Sequence, residues 1–276
     1  MASELLQSCR IKDMLRRILE DGTDIHPRGL ECKEIEDLQL FINPNLPFMS
    51  FEARKYPVNY FKKEMMWKLS ANKYNESIKA EAKMWAEVQN PDGTFNSNYG
   101  QYWFGEQKGI WDVVTELVRD QDSRKAVIPM LNVSHMSPQT IDTVCTESVG
   151  FRIRKFEDRL YLNMSVHMRS SDVIFGLGTD IPTFSFLYRL VKGLIQPVYE
   201  EKIFTGSSSL KITSMSSHLY ARHYDVVKRI IDSPDESYES ILMPHCDYAG
   251  ALKIIASRGR ADLLTKAGTL GVWLCE

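Results

Sequence analysis

The stretch NMSVHMRSSDVIFGLGTD, residues 163–180, leads from a predicted strand into a predicted helix. Arg169 and Ser170 come where the strand ends, and a guanidinium beside a hydroxyl is a donor set that suits a phosphate. Gly176 has no Cβ and lets a ligand approach the backbone closely. Asp180 opens the predicted helix, where a carboxylate is also a favoured N-cap. The stretch therefore predicts a strand, an anion-binding turn and a helix in succession.

Strands and helices intermingle on either side of this stretch without a regular βαβ rhythm. Apolar alternation predicts a hairpin from residues 150–156 and 160–168, and a further strand over residues 208–219. A period near 3.6 predicts a helix over residues 59–70. We therefore predict an α+β fold in which helices flank a mixed β-sheet. We expect one domain over residues 1–276, a length that can bury a substantial core.

Composition places the chain among ordinary globular proteins, with 43% apolar and 25% charged residues. The net charge of −2 argues against general nucleic-acid binding, so no polymer partner is expected. Five widely spaced cysteines without a C-x-x-C pair predict free thiols in a reducing cytoplasm and no metal site. No signal peptide pattern and no apolar run of ~20 residues is present, so we expect no membrane segment. We expect the tail, residues 250–276, to be mixed in structure, with its basic residues solvated.

Two side chains stand out as candidates for chemistry. Cys145 lies in the segment TVCT beside a predicted strand. A lone cysteine is more often a small buried hydrophobe, and it becomes a nucleophile where a cation stabilises its thiolate. Glu64 lies on a predicted helix next to Met65 and Met66. It is either a buried carboxylate suited to proton transfer or an exposed charge on the polar side of that helix.

Cationic and polar side chains elsewhere could complete a nucleotide site. A phosphate monoester carries close to two negative charges, so it needs several cations, and Arg28, Arg124 and Lys125 are candidates beside their usual role as solvated charges. His218 and Tyr220 share one face of a predicted strand, and both can hydrogen-bond a sugar hydroxyl. The sequence alone does not bring these groups together.

Taken in order, these segments resemble the thymidylate synthase superfamily over about residues 10–230. Each piece is weak alone, but the ordered set is specific. The segments that carry the resemblance are residues 18–28, KEMMW at 63–67, SNYG at 97–100, DSRK at 122–125, RSSDV at 169–173 and SHLY at 217–220.

Three departures from the synthase pattern resemble the phage deoxycytidylate (dCMP) hydroxymethylases. Cys145 lies between Val144 and Thr146 instead of in Pro-Cys-His, Asp180 replaces an asparagine, and Val88 replaces a second tryptophan. A carboxylate at position 180 can accept a hydrogen bond from the cytosine amino group. Uracil O4 would meet a second acceptor there, which costs ~1–3 kcal/mol when buried and corresponds to ~10–100-fold discrimination.

The resemblance implies a thymidylate synthase-like homodimer that associates through its sheet. It implies transfer of a one-carbon unit from 5,10-methylenetetrahydrofolate to C5 of a cytidylate, giving 5-hydroxymethyl-dCMP through a covalent Cys–C6 adduct. The residues that it implicates are Cys145, Glu64, Tyr99 and Asp180 in catalysis; Arg28, Arg124, Lys125, Arg169 and Ser170 at the phosphate, with Arg124 and Lys125 reaching the partner site; His218 and Tyr220 at the sugar; and Trp85, Asp172 and Gly176 at the folate.

Several alternatives stay open at this stage. The product could be a methylated cytidylate, the sugar could be ribose as in CMP, and a thymidylate synthase or a nucleotide-binding protein without catalysis is a further alternative.

The hairpin over residues 155–162 is about four residues longer than in the phage enzymes, at a site where insertion should be tolerated. A role in nucleotide biosynthesis for phage DNA modification, in the host cytoplasm, is implied by the resemblance alone.

Overall fold

A mixed sheet of seven strands forms the centre of the computed structural model, which describes residues 2–105, 109–157, 159–199 and 210–276. The strands are β1 (Thr23–Ile25), β2 (Cys32–Ile42), β3 (Val127–Pro129), β4 (Thr146–Phe156), β5 (Arg159–Met168), β6 (Ser171–Asp172) and β7 (Leu210–Tyr220). Their spatial order is β1-β2-β7-β5-β4-β3, and β6 pairs with β7. β5 and β6 run parallel to β7, while the other pairs are antiparallel.

Helices of very different length surround this sheet in the described part of the chain. They are α1 (Ala2–Asp21), α2 (Val58–Leu69), α3 (Met84–Val88), α4 (Gly100–Trp103), α5 (Gly109–Arg119), α6 (Gly176–Tyr199), α7 (Tyr224–Asp232), α8 (Tyr248–Ser257), α9 (Ala261–Leu264) and α10 (Gly268–Cys275). The prediction of an α+β fold with helices around a mixed sheet is confirmed. The predicted helix over residues 59–70 is confirmed as α2.

One face of the sheet forms the core. Val149, Phe151 and Ile153 alternate along β4 and are fully buried. They belong to the same hydrophobic core as Phe184 and Leu187 of α6, which are also fully buried. Each such side chain contributes about 1.5–3 kcal/mol when it leaves water. The alternation of the strands and the apolar run of α6 therefore fix the two layers of the fold.

The opposite face of the sheet lies open in the described part of the chain. Phe41 on β2 is 47% exposed and Met215 on β7 is 55% exposed, both unusual for large apolar side chains in a sheet. Thr213, between them in the sheet, has a buried hydroxyl without a hydrogen-bond partner. Exposed large apolar side chains beside an unsatisfied buried hydroxyl are typical of a surface that another protein surface covers.

The strand directions gather several candidate residues at one edge of the sheet. β4 is antiparallel to β5, so Thr146 at its start pairs with Met168 at the end of β5. β7 is parallel to β5 and ends at the same edge. Cys145 directly before β4, Arg169 directly after β5 and His218 near the end of β7 are therefore neighbours.

The predicted hairpin over residues 150–156 and 160–168 is confirmed as β4 and β5, although Asp158 in its turn lies outside the described residues. The first two residues of the predicted strand over residues 208–219 also lie outside them. Within the described part, no helix is long and apolar enough to cross a membrane. No group of three or more His, Cys, Asp or Glu side chains among those residues could hold a metal ion.

Candidate active site

The turn into α6 places Asp180 inside the site. Asp172 Oδ1 accepts hydrogen bonds from the amides of Ile174 and Phe175, at 2.8 and 3.0 Å, and this turn leads into α6. Gly176 is the first residue of α6, so the interpretation of Asp180 as an N-cap is wrong: the helix starts four residues earlier. A Cβ at Gly176 would lie 3.5 Å from Asp172 Cβ and 3.9 Å from Asp180 Oδ2. The missing side chain keeps a space beside both carboxylates.

Asp180 is a carboxyl that changes charge near neutral pH. Burial raises its pKa to about 7, against the opposing effect of the Lys68 ammonium, and the carboxylates of Glu64 and Asp172 raise it further. A carboxyl with this pKa is present in both protonation states at pH 7, so it can donate or accept a proton.

Arg169 holds the segment that carries Cys145. Its Nε donates to the Val144 carbonyl at 3.0 Å and its Nη2 to the Thr143 carbonyl at 2.7 Å. The same Nη2 lies 3.7 Å from Cys145 Sγ. Burial raises the pKa of the Cys145 thiol to about 11, although the Arg169 charge lowers it. The thiol is therefore protonated in the free protein, and its activation requires proton transfer once a substrate is bound.

Tyr99 lies near both the thiol and the carboxyl. Thr146 Oγ1 donates to Tyr99 Oη at 3.1 Å, and the tyrosine ring stacks on Phe184 with centroids 6.2 Å apart. Burial raises the pKa of Tyr99 well above its usual range, and the nearby charges of Asp180 and Cys145 add to this. Cys145 and Asp180 also act on each other, so the three side chains share one site.

Glu64 is buried, and a chain of polar side chains holds it. Tyr60, Glu64 and Lys68 are spaced four residues apart on α2 and so lie on one face of the helix. Lys68 Nζ lies 2.7 Å from Glu64 Oε1, with the two side chains 3% and 6% exposed. Tyr60 hydrogen-bonds to Glu64 and accepts a hydrogen bond from Trp85 Nε1 at 3.0 Å. Of the two interpretations of Glu64, the structure supports the buried carboxylate.

Trp85 belongs to a small aromatic cluster on α2 and α3. Its ring lies 5.0 Å from Trp67 and 6.2 Å from Phe95, and the side chain is 6% exposed. Only an edge of the indole is left for a ligand. Val88, one turn later on α3, packs half-buried against the same cluster.

The candidate sugar residues lie together at the end of β7. The rings of His218 and Tyr220 are 5.2 Å apart at 86°. His218 pairs in register with Asp172 on β6. Burial lowers the pKa of His218, opposed by the charges of Asp172 and Glu34, so a neutral imidazole faces the site at pH 7.

The candidate phosphate residues fall into two groups. Ser170 is half-buried next to Arg169. Arg28 is exposed in a turn at φ 55°, and its charge acts on both Cys145 and His218, which places it near the same edge of the sheet. These three candidates therefore lie around the thiol.

Arg124 and Lys125 belong to a different part of the surface. Both are exposed in the connection from α5 to β3. The Arg124 carbonyl accepts from Arg152 Nη2 on β4 at 3.1 Å, and the Lys125 charge acts on Glu116 of α5. Within the described chain, the structure does not bring either cation to the Cys145 cluster.

Two residues of the site were missed by sequence reasoning. Lys68 could have been found, because its spacing of four from Glu64 on a predicted helix is a signal for an ion pair. Asp142 had no signal: its carboxylate accepts from the Ser97 amide at 2.7 Å and also pairs with the Ser97 hydroxyl, so it anchors the loop before Tyr99. That contact depends on tertiary structure.

Comparison with known proteins gives the class of this protein. The thymidylate synthase family matches residues 10–244, and the chain therefore belongs to that family. It is similar to the deoxycytidylate 5-hydroxymethyltransferases of Enterobacteria phages T4 and T2, with 29% identity over 176 residues, which is 61% of this chain and 69% of each relative. The phage T6 enzyme matches to the same extent. The family and these relatives support a one-carbon transferase that acts on a pyrimidine nucleotide.

Proposed function

We propose that the chain transfers a one-carbon unit to C5 of a cytidylate, dCMP, and gives 5-hydroxymethyl-dCMP. The observation that carries this proposal is the cluster of Cys145, Tyr99 and Asp180, in which the carboxyl has a pKa of about 7. The similarity to the phage deoxycytidylate 5-hydroxymethyltransferases supports the same substrate.

Asp180 would select the base. Its ionised form accepts a hydrogen bond from the cytosine amino group, and its protonated form donates one to the unprotonated N3. Because its pKa is about 7, either form is accessible at neutral pH. Cytosine is favoured when Asp180 is ionised, because uracil O4 then meets only lone pairs and stays an unpaired buried acceptor, at a cost of ~1–3 kcal/mol; a protonated carboxyl would instead donate to O4.

Cys145 would act as the nucleophile toward C6. The thiol starts protonated, so its proton must leave as the sulfur–carbon bond forms. The bond makes C5 nucleophilic and puts negative charge on the ring, which the Asp180 proton at N3 neutralises. Tyr99 lies near both groups and would hold the water that removes the C5 proton.

The residues around Asp172 fit 5,10-methylenetetrahydrofolate. Gly176 leaves an open space next to Asp172, whose Oδ1 is used by backbone amides while Oδ2 remains as an acceptor for the N–H groups of a pterin. Trp85 would contribute the edge of its indole. When bound, the folate supplies the methylene carbon.

Glu64 and Val88 would decide the product. The carboxylate of Glu64 is fixed by Lys68 and Tyr60 and can orient a water molecule. Val88 packs on the Trp67 and Trp85 cluster and is smaller than a tryptophan, so it would leave more room for that water. Once tetrahydrofolate has left, water would add to the exocyclic methylene on C5 to give a hydroxymethyl group, and loss of the Cys145 thiolate from C6 would release the product.

We also propose a homodimer that associates through the open face of the sheet. Phe41 and Met215 would be covered there, and the Thr213 hydroxyl would gain a partner. Arg124 and Lys125 lie away from the cluster of their own chain, so they would complete the phosphate site of the partner. Within each subunit we propose one domain over residues 1–276, supported by the packing of α8 and α10 on α2 and α6.

The test is release of tritium from C5-labelled dCMP and dUMP, with and without methylenetetrahydrofolate, followed by the mass of the product. We expect folate-dependent release that is faster from dCMP, and a product heavier than the substrate by CH2O. Addition of CH2 would identify a methyltransferase. Faster release from dUMP would identify a thymidylate synthase, and no release from either would contradict the proposal.

A further inference from the structure

Lys68 carries a buried ammonium that contacts two proposed catalytic side chains, Glu64 and Tyr99, and a threonine near a third, Asp180. Its side chain is 3% exposed, and Nζ lies 2.7 Å from Glu64 Oε1. Nζ also donates to Thr183 Oγ1 at 3.1 Å, three residues after Asp180 on α6. It lies 5.0 Å from the centroid of the Tyr99 ring. A single charge therefore bridges α2, α4 and α6 at the centre of the site.

The charges around Asp180 are mostly negative or neutral. The cations Arg54 and Arg169 act on Asp172 and Cys145 respectively, whereas Lys68 acts on Asp180 directly. The titratable groups that face Asp180 are Tyr56, Glu64 and Lys68 from α2 and the residues before it, Tyr99 from the start of α4, Cys145 from the segment before β4, and Asp172 from β6.

We infer that Lys68 is a positioning residue for both carboxylates: its ammonium fixes Glu64 by direct contact and favours the ionised form of Asp180. This inference rests on the roles that the proposed function gives to Glu64 and Asp180. It adds a residue that acts through both carboxylates without itself contacting the nucleotide.

The physical reason is the attraction between a buried ammonium and nearby carboxylates. With Lys68 present, its charge lowers the pKa of Asp180 against the effect of burial. Without the ammonium, burial and the charges of Glu64 and Asp172 act on Asp180 unopposed by Lys68, so the pKa of Asp180 should rise. Glu64 would at the same time lose the ion-pair partner that fixes its orientation.

A merely structural ion pair is the alternative, because a buried pair can hold two elements together without any catalytic effect. Lys62 offers a matched control. It is a second buried lysine on α2, with Nζ 4.6 Å from the Trp273 ring centroid, and it faces away from the carboxylates. Lys62→Met removes a buried ammonium from the same helix but leaves the charges around Asp180 intact.

The experiment measures two properties of the full-length protein and its variants Lys68→Met, Lys68→Arg and Lys62→Met. The first is the titration midpoint of Asp180, read from ¹³C-carboxyl NMR of aspartate-labelled protein and assigned with Asp180→Asn. The second is the pH dependence of kcat for tritium release from C5-labelled dCMP.

For Lys68→Met we expect the Asp180 midpoint to rise by roughly 1–2 pH units, the alkaline limb of kcat to move in the same direction, and kcat at its optimum to fall at least about tenfold. Lys68→Arg should retain the wild-type midpoint because it keeps the charge. Lys62→Met should change neither property. Should Lys68→Met not fold, Lys68→Gln, which keeps a polar group without the charge, is measured instead.

A midpoint unchanged in the neutral variant overturns the inference even if the rate falls, since a structural role alone lowers the rate. A shifted midpoint with an unchanged rate overturns it too. The two proposals fail separately: a wild-type protein that releases no tritium contradicts the proposed function, while the NMR midpoint still reports on Lys68.

Discussion

Replacing Asp180 with asparagine should remove a pH-dependent loss of stability. The folded protein raises the pKa of this carboxyl from its ordinary value of 3.8 to about 7, mainly through burial. Between these two values the folded state binds a proton that the unfolded chain has released. The contribution of Asp180 to stability is therefore complete below about pH 4 and declines as the pH rises through 7.

The size of this effect follows from the two pKa values. A difference of about 3 pH units, at 1.36 kcal/mol per unit, corresponds to ~4 kcal/mol between the acidic and alkaline limits. About 2.5 kcal/mol of it falls between about pH 5 and pH 8. Asp180 is half-buried, so solvent screens its charge and these values are upper limits.

The assay is urea unfolding of wild type and Asp180→Asn at several pH values, because the difference between the two proteins cancels the other titrating groups. We expect the unfolding free energy of wild type relative to the variant to fall by up to ~2.5 kcal/mol from about pH 5 to pH 8. A difference that is flat with pH, or that grows toward alkaline pH, would refute the argument that burial controls this carboxyl.

Three further outcomes test the proposed site. Cys145→Ser should abolish tritium release from C5-labelled dCMP while dCMP binding, measured by equilibrium dialysis, changes less than about threefold; an active serine variant would contradict covalent catalysis. Asp180→Asn should shift the ratio of kcat/KM for dUMP over dCMP toward dUMP by ~10–100-fold, and an unchanged ratio would show that Asp180 does not read the base. Mixing inactive Arg124→Ala with inactive Cys145→Ser should restore up to about a quarter of wild-type activity through hybrid dimers, and no recovery under conditions of subunit exchange would argue against Arg124 acting across the dimer.

Local patterns sufficed to predict much of the fold. The alternation in residues 150–156 and 160–168 predicted β4 and β5, because one face of each strand is buried in the core. The tail was predicted less well: α8, α9 and α10 bury Ile254, Leu264 and Leu274 in the main core. Those helices are short, so their periodicity is weak, and their burial depends on surfaces of α2 and α6 that no local pattern reveals.

The candidate site was likewise predicted from the sequence only in part. Residue types and their order indicated Cys145, Arg169 and Asp180, and the strand directions bring the first two to one edge of the sheet. The sequence did not indicate that Asp180 lies within α6, because the start of that helix is set by the hydrogen bonds of Asp172. Nor did it indicate the raised pKa values, which arise from burial in the assembled fold.

The bonds of Arg169 to the Thr143 and Val144 carbonyls make the nucleophile sensitive to anions. A phosphate or sulfate ion that binds the guanidinium competes with those carbonyls. It changes the electrostatic environment of Cys145 Sγ at the same time. The rate at which an alkylating reagent modifies Cys145 therefore reports whether an anion is bound at Arg169. Buffers that contain such ions would change that rate without any nucleotide being present.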